Sequence, residues 1–272
     1  MRQASKTTTT SLLVGLMVAA LCGAIACGSD RTSGRQVTLR TQVQADPEVT
    51  GELTTGTGWS VRLTRAAVSL GALYYFDGEP VFARKRQRSV GERIVALLGP
   101  SVAYAHPGHY VAGMAVGQMT VPAFAELMTG PTMLPAGEGI SGQYRSARFV
   151  LAAPSSESAR SALGTSVAVL EGVARRAEQT VYFKLTADLA DVAHGAREAN
   201  VDGCPFDEAD VADDGLVTVH IKPRVWLDLV DFSEVAPGSA DAPTEVPRGQ
   251  TAQLAFALGV AQLSAYRFSF GP

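Results

Sequence analysis

Two histidines set three residues apart are the clearest candidates for chemistry in this sequence. His106 and His109 enclose Pro107 and Gly108, a turn-forming pair that can bring two imidazoles to one side. Imidazole is a ligand for zinc, copper, nickel and iron. We therefore expect a transition-metal site at this loop, with copper or zinc as the cofactor.

The methionines favour copper in particular. All four that follow residue 26 lie within 25 residues after His109, and they are Met114, Met119, Met128 and Met133. A thioether combined with an imidazole is typical of Cu(I) sites, so Met114 and Met119 are the predicted assisting ligands. His220 or His194 can supply a third imidazole. The alternative is structural, with methionines filling irregular packing and histidines that only shape a turn.

Common catalytic motifs are missing. The G-x-S-x-G nucleophile elbow, the H-E-x-x-H zinc motif and the phosphate-binding G-x-x-x-x-G-K-[ST] loop do not occur. We therefore predict a non-catalytic binding protein, with an uncharacterised hydrolase as the lesser alternative.

The net charge of −3 and the pI near 5.8 do not indicate a basic surface that could bind nucleic acid, so no nucleic-acid partner is expected. Six acidic residues between 202 and 214 lack calcium-loop spacing and are expected in a solvated turn.

The first 26 residues are typical of an export signal. Arg2 and Lys6 precede an apolar run from Leu12 to Ala26, which is shorter than the roughly 20 residues needed to span a bilayer. A positive start, a short apolar stretch and small residues at its end make a secretory signal. We predict removal of residues 1–26, which leaves a flexible tether over 27–35.

Ala24, Ile25, Ala26 and Cys27 resemble the lipobox of bacterial envelope lipoproteins. The resemblance implies that Cys27 carries lipid, palmitate included, and that the membrane is a partner. Ser29, two places further on, implies the outer membrane, with the domain facing the periplasm or the cell surface. The same residues also fit ordinary A-x-A cleavage, in which case Cys27 and Cys204 can form a disulfide.

Apolar and polar residues alternate with period two along much of the chain after residue 35. Examples are Val37–Val43, Trp59–Leu63, Val217–Ile221 and Tyr266–Phe270. Such strands, separated by Gly, Pro, Asp and Ser clusters, predict an antiparallel β-sandwich. We expect a single all-β domain over 36–272, with a long irregular insertion at about 84–143, where the alternation is lost.

The order of features in the second half of the chain carries a looser resemblance. Strands at Arg145–Leu151 and Val181–Leu185 precede a loop at Cys204 and the segment Val225–Phe232, as in uncharacterised families of bacterial envelope lipoproteins. More distantly, this order resembles periplasmic metal-binding proteins of methanobactin-type copper operons, whose four-cysteine motif is missing here. The resemblance implies an anchored envelope protein that binds a ligand. A structural or interaction module with an envelope protein or a polysaccharide as partner is the alternative.

Overall fold

The computed structural model describes residues 34–79, 113–193 and 196–271. The expected signal peptide, Cys27, His106, His109 and His194 lie outside the described residues. Gln36–Pro272 form a single compact unit. None of the described helices combines the length and the apolar character needed to cross a membrane.

Strands dominate the described chain, which confirms the all-β class. The strands are β1 (Gln36–Ala45), β2 (Glu52–Thr54), β3 (Ser60–Phe76), β4 (Ala115–Met119), β5 (Ala123–Glu126), β6 (Thr132–Ile140), β7 (Gly142–Leu151), β8 (Ser166–Arg176), β9 (Gln179–Asp188), β10 (Ala199–Val211), β11 (Gly215–Ile221), β12 (Thr244–Glu245) and β13 (Tyr266–Gly271). The α-helices are α1 (Glu157–Leu163), α2 (Leu189–Val192), α3 (Pro223–Leu227) and α4 (Thr251–Val260), with 3-10 turns at Pro47–Thr50 and Leu263–Ala265.

Eight of these strands pair in a closed ring. The order around it is β3, β4, β6, β1, β11, β13, β10, β7 and back to β3. The carboxyl half of β3 closes the ring, because Leu73–Phe76 pair with β4 on one edge and with β7 on the other. Two of the pairings, β1 with β11 and β10 with β13, are parallel.

The pairing is therefore mixed rather than purely antiparallel. It joins the strands into one connected sheet and does not divide them into the two sheets of the expected sandwich. Alternation in a sequence reports which face of a strand is buried, but not which strand lies beside it. The local sequence pattern therefore could not predict which strands pair.

Aromatic side chains fill the inside of the ring. The ring centroid of Tyr75 lies 6.0 Å from that of Tyr144, 5.8 Å from Phe206 and 6.1 Å from Phe268. All four side chains are buried, in the tilted and edge-on contacts that aromatic rings prefer. The inside is therefore packed core, which gives the outer face of the ring a rigid support.

The amino half of β3 extends the sheet beyond the ring. There β3 pairs with β8, and β8 pairs with β9. The hydrophobic core continues here with Trp59, Phe183 and Phe232. The ring centroid of Phe232 lies 5.6 Å from that of Trp59 and 4.6 Å from that of Phe183. Helices α3 and α4 approach closely at Gly259, where an added Cβ would lie 2.6 Å from the carbonyl oxygen of Trp226.

The segment expected to be irregular, about 84–143, contains β4, β5 and β6 in its described part. The expectation was wrong there because glycines occupy positions that face the ring interior. A Cβ on Gly117 would lie 3.0 Å from both Leu39 and Tyr75, and one on Gly139 would overlap the Tyr144 hydroxyl. Glycine has no apolar side chain, so the alternation of apolar and polar residues is not visible at these inward-facing positions.

Candidate ligand-binding groove

One row of polar and aromatic side chains crosses the outer face of the ring. The register places one residue from each of five neighbouring strands in it: Thr38 (β1), Glu138 (β6), Gln118 (β4), Tyr74 (β3) and Arg148 (β7). Residues directly opposite each other on paired strands share a face of the sheet. These five side chains form what is called the outer row below.

The outer row faces solvent because the adjacent row faces inward. Gly117 comes directly before Gln118, and Gly139 comes directly after Glu138. Both glycines pack against Tyr144 inside the ring. The Tyr144 hydroxyl donates a hydrogen bond to the carbonyl oxygen of Val116 at 2.8 Å and so holds β4 from the inside. Period-two alternation then directs the side chains of Gln118 and Glu138 outward.

A groove of about 580 Å³ lies over the β1, β6 and β4 end of the outer row. Its lining includes Gln36, Thr38, Val116, Gln118, Glu138 and Ile140. The Gln118 amide donates to Glu138 Oε1 at 2.9 Å, and the backbone N–H of Thr38 donates to Asp214 Oδ1 at 2.7 Å. The described lining offers amides, a hydroxyl and one carboxylate without lysine or arginine, which suits an uncharged polar ligand better than an anion.

The opposite end of the outer row is aromatic and carries a fixed guanidinium. Arg148 lies 6.0 Å from the centroid of the Tyr74 ring and 5.9 Å from that of Phe76, within cation–π range. Its Nε donates to Asp202 Oδ1 at 2.5 Å. Because Asp202 balances its charge, Arg148 offers hydrogen-bond donors beside an aromatic surface without a net positive charge.

Residues 137–142 have the G-x-G-x-x-G spacing of dinucleotide-binding loops, but not their structure. They form the end of β6 and the connection into β7, whereas the nucleotide motif needs a helix whose N-terminus holds the pyrophosphate. Gly139 makes room for Tyr144, and Gly137 lets the β4 backbone at Gln118 approach. The spacing therefore serves packing.

The two methionines predicted as metal ligands have different surroundings. Met114, just before β4, is 49% exposed, and its backbone N–H donates to Asp77 Oδ1 at 2.7 Å. Met119, at the other end of β4, is 1% exposed and belongs to the core. The thioether of Met114 is thus open to solvent, while that of Met119 is enclosed.

His220 is half-buried on the outer face, and both of its ring nitrogens have neighbours. Its Nε2 lies 3.0 Å from Ser269 Oγ and its Nδ1 lies 3.2 Å from the Gln44 amide nitrogen. Burial lowers the pKa of this imidazole. The neutral form is therefore favoured in the folded protein.

The structure does not bring His220 and Met114 together. The register places His220 opposite Gln44 of β1. Val37, seven residues earlier on β1, lies level with Gly117 of β4, because both pair with the same residue of β6. Seven strand residues span about 23 Å, and Met114 lies further still in the same direction. Over residues 34–79, 113–193 and 196–271, no group of three or more His, Cys, Asp or Glu side chains could hold a metal ion.

Cys204 is a buried free thiol, which confirms its prediction as a small buried residue. Its Sγ donates to the carbonyl oxygen of Val201 at 3.2 Å, and burial raises the pKa of the thiol to about 12. Because the thiolate is the reactive form, Cys204 is a poor nucleophile in the folded protein.

The acidic stretch expected in a solvated turn is strand β10 for most of its length. Three of its carboxylates pair with arginines of neighbouring strands: Asp202 with Arg148, Asp207 with Arg267 and Glu208 with Arg145. Exposed pairs of this kind contribute little stability each. Opposite charges on paired strands do favour one register over another.

The outer row was missed in the sequence because its members come from five strands that are distant along the chain. A local signal was present in β4 and β6, where Gln118 follows Gly117 and Glu138 stands between Gly137 and Gly139. A polar residue flanked by glycines in a strand indicates a polar outer face over a crowded interior.

No protein-family model, curated protein or solved structure matches the chain. Any functional proposal therefore rests on the geometry of the groove and of the outer row.

Proposed function

We propose that this protein is a lipid-anchored, non-catalytic envelope domain that binds a ligand in the groove. The groove carries the proposal, because its volume of about 580 Å³ falls in the usual range for small-molecule sites. Its floor is the wall of a packed ring, and the Gln118 side chain is already held by Glu138. Such preorganisation lowers the conformational cost of binding.

The position of the groove along the chain supports an envelope ligand. Gln36, the first residue of β1, lines the groove and follows the expected lipidation site Cys27 by nine residues. Nine residues reach at most about 32 Å. A lipid on Cys27 would therefore keep the groove within that distance of the membrane surface.

Filling the groove should weaken retention by envelope material. The full chain with Cys27→Ser, which cannot be lipidated, would be sedimented with isolated outer-membrane fragments and with isolated cell-wall sacculi. We expect one of these to retain it, and Ala115→Trp, an exposed residue lining the groove, to reduce retention by about tenfold, as a clash of about 1.4 kcal/mol does.

Thr180→Trp is the matched control for this experiment, because Thr180 is exposed on β9, outside the groove. It should leave retention unchanged. Equal retention of both tryptophan variants, or retention of neither protein nor variants, contradicts the proposal.

Metal binding at the His106 and His109 loop is a second candidate function. The observation that favours it is the exposed thioether of Met114, since a soft ligand open to solvent is available to Cu(I). His106 and His109 would hold the ion, and Met114 would add selectivity for copper over zinc.

Metal uptake by substituted proteins tests this second candidate. The Cys27→Ser chain would be loaded with Cu(I) under reducing conditions or with Zn(II), desalted and analysed by mass spectrometry of the metal. His106→Ala combined with His109→Ala should abolish uptake, and Met114→Ala should lower copper uptake only. Met119→Leu and His220→Gln are controls that should change neither. Unchanged uptake in the double histidine variant rules out the site.

A further inference from the structure

We infer that the outer row binds an extended, uncharged polysaccharide chain laid across the strands. The inference rests on the proposed function, since the groove contains three of the five residues of the row, and it names the ligand class. Thr38, Gln118 and Glu138 contact sugar hydroxyls at the groove end. Tyr74 and Arg148 receive a sugar ring at the other end.

The dimensions of the outer row fit such a chain. Its five members come from consecutive strands, and paired strands lie about 4.8 Å apart, so the row covers about 19 Å. The strand spacing is close to the length of one pyranose unit in an extended chain. Each step from strand to strand therefore corresponds to about one sugar, and a tetrasaccharide covers the row.

The side chains of the outer row have the chemistry that sugars require. An amide and a carboxylate present closely spaced donors and acceptors, which can bind neighbouring hydroxyls together. Gln118 and Glu138 use one contact of 2.9 Å between themselves, which leaves the second amide hydrogen, the amide oxygen and a carboxylate oxygen for a ligand. The partly exposed ring of Tyr74 offers a surface for the C–H face of a sugar.

Charge disfavours an anionic polymer. Glu138 would repel such a chain, and Arg148 is already paired with Asp202. The described lining of the groove contains no lysine or arginine.

Topology disfavours a peptide strand. Strand addition needs a free sheet edge, whereas every strand of the outer row is paired on both edges. At Glu138, Gln118 and Tyr74 the register pairs the main chain on both sides, so recognition there depends on side chains.

Binding of soluble oligosaccharides to the full chain with Cys27→Ser, measured by isothermal titration calorimetry, tests the inference. The probes are cellotetraose, chitotetraose and maltotetraose, with the disaccharide of each series. We expect at least one tetrasaccharide to bind. Its disaccharide should bind about tenfold more weakly, because two sugars span only half of the row.

Variants at the two ends of the row should each weaken the tetrasaccharide. Tyr74→Ala removes the stacking surface and should reduce affinity by about tenfold, and Gln118→Ala should reduce it to a similar extent. The controls are Tyr182→Ala, at a partly exposed tyrosine of β9, and Gln42→Ala, at an outward residue of β1 bonded to Thr218. Both should bind as the parent does, and thermal unfolding verifies that each variant is folded.

The outcomes separate this inference from the proposed function. Equal affinity for disaccharide and tetrasaccharide, with a loss in Gln118→Ala but not in Tyr74→Ala, confines the ligand to the groove and overturns the inference alone. Failure of all six oligosaccharides to bind also overturns it. The sedimentation experiment with Ala115→Trp then decides the proposed function independently.

Discussion

The imidazole of His220 shows how a polar side chain on the outer face is tuned by its neighbours. Burial is the main reason that its pKa is lowered, and the nearby cations Arg267 and Lys222 act in the same direction. The carboxylates of Asp46 and Asp207 oppose them. The folded protein therefore holds this histidine neutral at pH values where the unfolded chain begins to protonate it.

Acid should consequently lower the stability of the fold. The unfolded histidine protonates near pH 6.5 and the folded one only at lower pH, so the stability contributed by His220 is present above about pH 6.5 and lost as pH falls toward the folded pKa. His220→Gln keeps polar groups near Gln44 and Ser269 but cannot take up a proton. Its melting temperature should fall less than that of the parent between about pH 7.5 and pH 5; an equal fall would show that His220 has no part in the acid response.

At the scale of the element, β6 depends on glycine for its place in the ring. Gly139 faces the interior where Tyr144 and Leu39 approach. A side chain at this position competes for space with residues of β7 and β1, which lie on either side of the same core. The position therefore requires glycine, because the interior has no room for a side chain there.

Gly139→Ala should destabilise the protein by about 1–3 kcal/mol, the usual cost of overpacking a core, as measured by urea unfolding. Gly271→Ala is the control, because an added Cβ there meets nothing within 4 Å. Tyr144→Phe removes the overlapping hydroxyl together with its hydrogen bonds to Val116 and Ile140, so it is also measured alone as a reference. Gly139→Ala should cost less in the Tyr144→Phe background than in the parent. An equal cost in both backgrounds would mean that Leu39, rather than Tyr144, limits the space.

Prediction from sequence succeeded where a strand buries ordinary apolar side chains. Val37, Leu39 and Val43 of β1 alternate with polar residues and are buried as expected. It failed for β4 and β6, where the inward-facing positions include glycine. The candidate site depends on the register between five strands, which no local pattern contains, and the predicted pair His106 and His109 lies outside the described residues.

At the scale of the whole molecule, the proposed lipid on Cys27 would determine where the groove works. Metabolic labelling with an alkynyl palmitate should mark the parent protein in the membrane fraction. Cys27→Ser should abolish the label and move the protein to the soluble fraction, since at least one acyl chain is needed to hold it. Cys22→Ser, within the expected signal peptide, is the control and should retain the label. Undiminished labelling of Cys27→Ser contradicts lipidation at that residue.

The parallel pairing of β1 with β11 joins residues 176 positions apart, as in the contact of Gln42 with Thr218. β1, the first of the described strands to be synthesised, must therefore wait for one of the last, and closure over such a distance is slow. A chain exported amino end first would cross the membrane while the ring is still open. The ring would then close only on the far side, where Cys27 is expected to carry lipid, without any need for the translocation machinery to unfold it.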